Sequence, residues 1–335
     1  GGGGGTGGFS VAGSMSGGGA AAASIGGNGA VGGDGNRVLV GLLQDRITGN
    51  LSTEGNHAYG LLAQSVGGGG GDGGFSIAGT VSKGTSAAFS MGGDGESGGS
   101  ADRVEVFTDA NITTTGRDAH GLVAQSVGGG GGSGGFSIAG GLAGGTGLSA
   151  SLGGAGDSGG DGNVVLLQNG GRIETGTAGK YELTVEEALA GGALEPVAAI
   201  LADAGYDTLA KFAAATQEDV EAVVGEVNGT LVPVVGTYQA LAREVMQSDS
   251  HSYGILAQSV GGGGGAGGFS GSLAGGFGHG SRLSMAIGGS GGDGGNGADA
   301  GVLNTGGVMT QRTASHGIYA QSIGGGGGDA GAGLS

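Results

Sequence analysis

The chain has 335 residues, of which 96 are glycine, 2 are proline and none is cysteine; without a Gly-X-Y period it is not collagen, and without thiols it has no disulfide, thiolate metal site or cysteine nucleophile. Its 28 acidic against 11 basic residues leave a formal net charge of −17, which argues against nucleic acid and anionic membrane surfaces, because both select clustered cations. Apolar residues make up 37% and fall in strand-like patches, unlike a solvated disordered linker.

From the N-terminus, a glycine run leads to Phe9 and "FSVAG", and the same grammar then returns. "GLLAQSVGGGGG" from Gly60, "GLVAQSVGGGGG" from Gly121, "GILAQSVGGGGG" from Gly254 and "GIYAQSIGGGGG" from Gly317 are four copies of one phrase. The repeat glutamines Gln64, Gln125, Gln258 and Gln321 are 61, 133 and 63 residues apart, so the third copy carries an extra block of about 71 residues. Within copy two, Phe75–Ala78, Arg103–Thr108, Asn111–Thr115 and Leu122–Val127 alternate with period two and are predicted as strands. Parity places Leu122, Ala124 and Ser126 on one side and Val123, Gln125 and Val127 on the other. The first row is expected to face a thin interior; the glutamines then either stack as an amide ladder between coils or form an outward solvated row. Phe9, Phe75, Phe136 and Phe269 recur after each glycine run and are expected as core anchors.

Fixed-period self-similarity predicts a stacked array. The expected fold is mainly β: a right-handed parallel β-helix, or β-solenoid, of about 62-residue repeats with a small all-α insertion. Each repeat would form roughly three coils of about 20 residues, with glycines at φ > 0 corners. The expected organisation is residues 1–176 as solenoid, 177–247 as the helical module and 248–335 as solenoid again. The pentaglycine runs suit corners, loose excursions or side-by-side polyglycine strands, and should be the least ordered parts unless they pack densely.

The extra block has helical punctuation. Pro196 opens a segment with Val197, Ile200, Leu201 and Ala204 on one face and Gly205 as its stop. Thr208 caps the next helix, Thr216 with Asp219 imitates a capping box before Val220, Val223 and Val224, and Pro233 starts a last helix carrying Val235, Tyr238, Leu241 and Val245. The stretch "LADAGYDTLAKFAAATQEDVEAVVG" resembles a helix-hairpin-helix-like or SAM-like fold. The DNA-binding role common in that family is not carried over, because Lys180, Lys211 and Arg243 stand among many carboxylates.

Motifs for chemistry are weak. "GGSGG" around Ser133 matches a nucleophile elbow in form but lies inside a glycine run. Asp34, Asp94, Asp161 and Asp293 recur in "GDG" settings and read as turn aspartates bonding their own backbone. "GGNGADAGV" from Gly294 fits a calcium-binding β-roll through Asp299, so Asp299 and Asp293 are the calcium candidates, structural calcium being the minor reading and no cofactor the main one. His57, His120, His251 and His316 precede the repeat glutamines by seven or five residues; copies three coils apart would separate them by about 15 Å, so they read as turn residues.

The units "HGIYAQSIGGGGG" and "GGFS(I/V)AG" resemble the glycine-rich repeats of very large autotransporter proteins of Gram-negative bacteria. That resemblance implies a secreted, non-enzymatic passenger segment, threaded through an outer-membrane β-barrel of the same full-length chain and displayed on the cell surface. It would be a structural stalk for adhesion, virulence or self-association. Its partners would be a protein or glycan of a host or neighbouring cell, or further copies of itself, and not nucleic acid. The chain shows no signal peptide and no apolar stretch long enough to span a membrane, and it reads as a segment of something longer. Two alternatives are a polysaccharide-active β-helix enzyme and a phage-fibre-like receptor binder of packed polyglycine helices.

Overall fold

The structure, a computed structural model, describes residues 1–176, 184–247, 251–311 and 314–335; Thr177, Lys180 and the side chain of Val245 lie outside the described set. Each repeat lays down one layer of five strands. Layer one holds β1 (Ser10–Ser16), β2 (Gly19–Ile25), β3 (Val38–Val40), β4 (Asn50–Thr53) and β5 (Leu61–Val66). Layer two holds β6 (Ser76–Ser82), β7 (Thr85–Met91), β8 (Val104–Thr108), β9 (Asn111–Thr114) and β10 (Leu122–Val127). Layer three holds β11 (Ser137–Ala143), β12 (Gly147–Leu152), β13 (Val165–Asn169), β14 (Ile173–Thr175) and β15 (Ile255–Val260). Layer four holds β16 (Ser270–Gly276), β17 (Arg282–Ile287), β18 (Ala300–Asn304), β19 (Val308–Thr310) and β20 (Ile318–Ile323), and β21 (Gly333–Leu334) opens a fifth.

Every sheet takes one strand from each layer: β1-β6-β11-β16-β21, β2-β7-β12-β17, β3-β8-β13-β18, β4-β9-β14-β19 and β5-β10-β15-β20. All strand pairs are parallel, and equivalent residues meet, so Gln125 lies beside Gln64 and Gln258. One repeat is therefore one coil of about 62 residues, not three coils of about 20. With one coil per repeat, every backbone ladder joins a phrase to its own copy, and identical side chains stack at the spacing of neighbouring strands.

The last three sheets share one apolar core, built from Val104, Val106, Ile112, Leu122, Val165, Leu167, Ile173 and Ile255. As parity predicts, Leu122, Ala124 and Ser126 face inward and are fully buried. Each large aliphatic side chain sealed there contributes about 1.5–3 kcal/mol.

The first two sheets pack face to face as a thin wing whose interior is small and polar. Ala22, Ala78, Ala88 and Ala139 cluster between them, and hydroxyl pairs cross the gap: Ser24 donates to Ser10 (3.0 Å), and Ser76 with Ser90 and Thr80 with Ser86 each lie at 2.6 Å. Only side chains this small let two sheets approach closely; sheets with ordinary cores stand about 10 Å apart. The second wing strand of each layer went unpredicted, because Ser and Ala at the inward positions of "TSAAFSM" give no apolar period.

Between wing and core, the glycine runs pack densely. Gly67, Gly70 and Gly73 donate N–H to Val127, Gly130 and Ser133 of the next layer, each at 2.8 Å. Gly68, Gly71 and Gly74 donate to Gly33, Ala30 and Gly27 on the returning segment of the layer before. The indices rise on one segment and fall on the other, so the two run antiparallel. A bonding period of three is that of polyproline II, whose backbone is otherwise left to water; here neighbouring chains replace the water. Glycine is required for closeness and not for φ > 0 corners. No residue of the pentaglycine runs has positive φ, but a Cβ on Gly68 or Gly71 would lie less than 3.0 Å from the carbonyl oxygen of Gly2 or Gly5. The third position of each turn points outward and tolerates side chains: Thr6, Asp72, Ser133, Ala266 and Asp329 all occupy it.

Among the described residues, five α-helices fall between β14 and β15: α1 (Val185–Leu189), α2 (Ala198–Asp203), α3 (Leu209–Ala214), α4 (Gln217–Asn228) and α5 (Val232–Gln247). Thr208 and Thr216 cap α3 and α4 as predicted, and Thr184 with Glu187 forms a capping box on α1. Phe212, Leu201, Val220, Val224 and Val235 form a core among the helices themselves. Ile200 and Ala204, expected beside Leu201, are exposed; α2 ends at Asp203, and Gly205 leaves it at φ 101°. Leu241 is likewise exposed.

Candidate interaction surface

Identical residues stacked layer on layer make continuous rows on the outside of the molecule. The glutamines form the expected amide ladder: Gln64 donates to Gln125, Gln125 to Gln258 at 2.6 Å, and Gln258 to Gln321 at 3.1 Å. The phenylalanines form a second row, but outside the core. Phe9 and Phe75 stack at 5.2 Å between ring centroids and Phe75 and Phe136 at 4.8 Å, while Phe9, Phe136 and Phe269 remain 71%, 40% and 43% exposed. They cannot turn inward because the wing interior has room only for small side chains such as Ser, Ala and Thr. Along β1, β6 and β11 the same parity holds: Ser10, Ala78 and Ala139 face in, and Val11, Ile138 and Leu142 face out. The wing is inverted relative to an ordinary sandwich, with small polar groups inside and large apolar ones outside.

A third row runs along the turn before the repeat glutamine. Tyr59, His120 and Tyr253 stack at 5.1 and 5.0 Å, and Tyr253 meets His316 at 5.2 Å. Adjacent copies are adjacent layers, so His120 and His316 belong to this column, not to isolated turns separated by 15 Å. His57 and His251 do sit in turns, at the left-handed position that Asp118 and Ala314 fill in the other layers. The Nδ1 of His120 accepts the N–H of Tyr253 at 3.0 Å. Burial holds the His120 imidazole below its ordinary range; His251 and His57 add to this, and Asp118 opposes it.

The repeated aspartates cap the layer above instead of their own turn. Asp34 accepts from Ser100 N–H at 2.8 Å, Asp94 from Ala155 N–H at 2.8 Å and Asp161 from Asn296 N–H at 2.6 Å. Each satisfies a glycine-segment amide that would otherwise point to solvent. Asp293 and Asp299 are exposed; their backbone carbonyls accept from Gly159 and Val165. Among the described residues no group of three or more His, Asp or Glu is placed to hold a metal ion. Ser133 occupies an outward position of a polyglycine segment, its N–H bonded to Asp72, and so lies on no strand-to-helix elbow.

Charge is segregated. None of the 28 acidic residues falls in 9–25, 75–91, 136–152 or 269–287, the four wing segments. In the helical block, Lys211 is paired with Asp207 at 2.6 Å, and Arg243 donates to the carbonyls of Ala213 and Ala215. Both cations are engaged within the module. No helix among the described residues is long and apolar enough to cross a membrane. No protein-family model, curated protein or solved structure matches the chain.

Proposed function

We propose that this chain is a non-enzymatic structural segment of a cell-surface passenger, a stalk that presents repeated rows of side chains for adhesion or self-association. The observation that carries this reading is that each repeat adds one equivalent layer. The molecule grows by extending its outer surface, and the rows of Gln64, Phe9 and Tyr59 lengthen with it. A catalytic site needs unlike groups converging at one place, whereas stacking places like beside like. The helical module between β14 and β15 is the part that departs from the repeat, and we assign it a protein-contact role. Export through an outer-membrane β-barrel of the same full-length chain follows from the repeat's resemblance, and the absence of cysteine is compatible with passage through an oxidising compartment.

The test is immunolabelling of an epitope placed after Gly205 in the complete protein. Surface display predicts labelling of intact cells and its loss on protease shaving. Labelling only after permeabilisation overturns the reading. The packed polyglycine segments favour one alternative, a fibre-like receptor binder; display on a released particle instead of the cell envelope would select it.

A further inference from the structure

We propose that the outer face of the β1-β6-β11-β16-β21 sheet packs against the same face of a second copy of this chain, related by a two-fold axis lying along the strands between layers three and four. The relief of that face carries the inference. In layer three, Ile138 and Leu142 stand as two ridges with Gly140 as a groove between them. In layer four the pattern is reversed: Gly271 and Gly275 flank a projecting Leu273. The register pairs Ile138 with Gly271, Gly140 with Leu273 and Leu142 with Gly275. A two-fold axis along the strands keeps position along the strand and exchanges the two layers. It therefore seats Leu273 of each copy over Gly140 of the other, and Ile138 over Gly271. A Cβ built on Gly140 would meet nothing within 4 Å, so this groove is open. Leu142 already leans over Gly275, and the Phe269 ring lies 3.4 Å from a Cβ built on Gly271, which leaves Leu273 over Gly140 to key the contact, with Ile138 packing beside the Phe269 ring. Such a face is complementary to itself, as an isologous interface must be.

Charge points to the same occupant. Two chains of −17 repel wherever carboxylates meet, and the wing has none. An anionic lipid surface fits less well, because a membrane-seated face is flanked by clustered cations, and the wing offers only Lys83 and Arg282. With the axis between layers three and four, those two layers of each copy lie over layers four and three of the other; two strands at about 4.8 Å spacing, each about seven residues long, present roughly 220 Å². The pair covers about 450 Å², so chains of this length should associate weakly and only at high concentration. Each further repeat would enlarge it.

This inference deepens the self-association reading and is tested on the purified chain, so failure of surface display leaves it standing and its own failure leaves surface display untouched. Sedimentation over a concentration series should show reversible dimers. Ile138→Asp should weaken them at least tenfold, and Leu148→Asp, on the opposite face of the same wing, should leave them unchanged. Because the chain lacks cysteine, an equimolar mixture of Ile138→Cys and Gly271→Cys chains should form a mixed disulfide faster than either forms alone, a readout that holds even if Ile138→Asp fails to fold. A monomer at all concentrations, dimers unaffected by Ile138→Asp, or no preference for the mixed disulfide overturns the proposal. So does a monomeric chain that binds phosphatidylcholine or phosphatidylglycerol vesicles through Ile138.

Discussion

The hydroxyl of Thr175 donates to the carbonyl of Ser252 at 2.7 Å, although 77 residues separate them. The same bond closes the uninterrupted turns, from Thr53 to Ala58 and from Thr114 to Ala119, each at 2.6 Å. The helical block is thus an elaboration of one turn whose base is closed in the way every other layer closes it.

Removing residues 178–249 leaves a turn as long as the one between Thr114 and Ala119. The shortened chain should keep its β-type far-UV circular dichroism and unfold cooperatively, losing only the helical signal. A molten or aggregated product would mean that the helices help hold the stack.

Alanine should read out the three-residue period of the glycine segments. At Gly129 and Gly131 a Cβ would lie less than 3.0 Å from a backbone oxygen, whereas at Gly130 the nearest atom is 3.7 Å away. Gly129→Ala and Gly131→Ala should each cost about 2 kcal/mol or more through overpacking. Gly130→Ala should stay within about 0.5 kcal/mol of the parent. Urea unfolding of the three variants checks this, and equal effects at all three positions would contradict polyproline II packing.

Acid should weaken the stack through His120. Its imidazole is held neutral by burial and accepts the Tyr253 N–H, so the unfolded chain takes up a proton at a higher pH than the folded one. The stabilisation is present in full above the ordinary histidine pKa of about 6.5 and is lost as pH falls towards and through the depressed folded value. Unfolding midpoints between pH 5 and 8 should fall on acidification, and His120→Phe, which keeps a ring in the column, should flatten that slope. An unchanged slope in the variant would exclude His120 as its source.

Within the wing, hydroxyls differ in value. Ser90 Oγ donates to the Ser76 carbonyl at 2.9 Å and lies 2.6 Å from Ser76 Oγ, whereas Ser149 Oγ is buried without a partner. Ser90→Ala should destabilise by about 1 kcal/mol, and Ser149→Ala should be neutral or stabilising by a similar amount. Thermal denaturation would distinguish the two, and a loss at Ser149 as large as that at Ser90 would contradict the assignment.

Repetition and parity were enough to read much of this protein from its residues. Four copies of one phrase meant stacking, alternation in "LVAQSV" put Leu122 inside and Gln125 on a ladder, and Pro196, Thr208 and Thr216 marked the helices. These signals are local, because a side chain's face follows from its place in its own strand and a cap from its own turn. What only the tertiary structure decided was how far the chain travels before it meets itself. The coil length of one full repeat made His120 a neighbour of Tyr59 and Tyr253, and drew the glycine runs into contacts too close for any Cβ. The narrow wing between its two sheets sent Phe9, Phe75, Phe136 and Phe269 outward. Distance between layers and width between sheets are properties of packing, and no residue carries them alone.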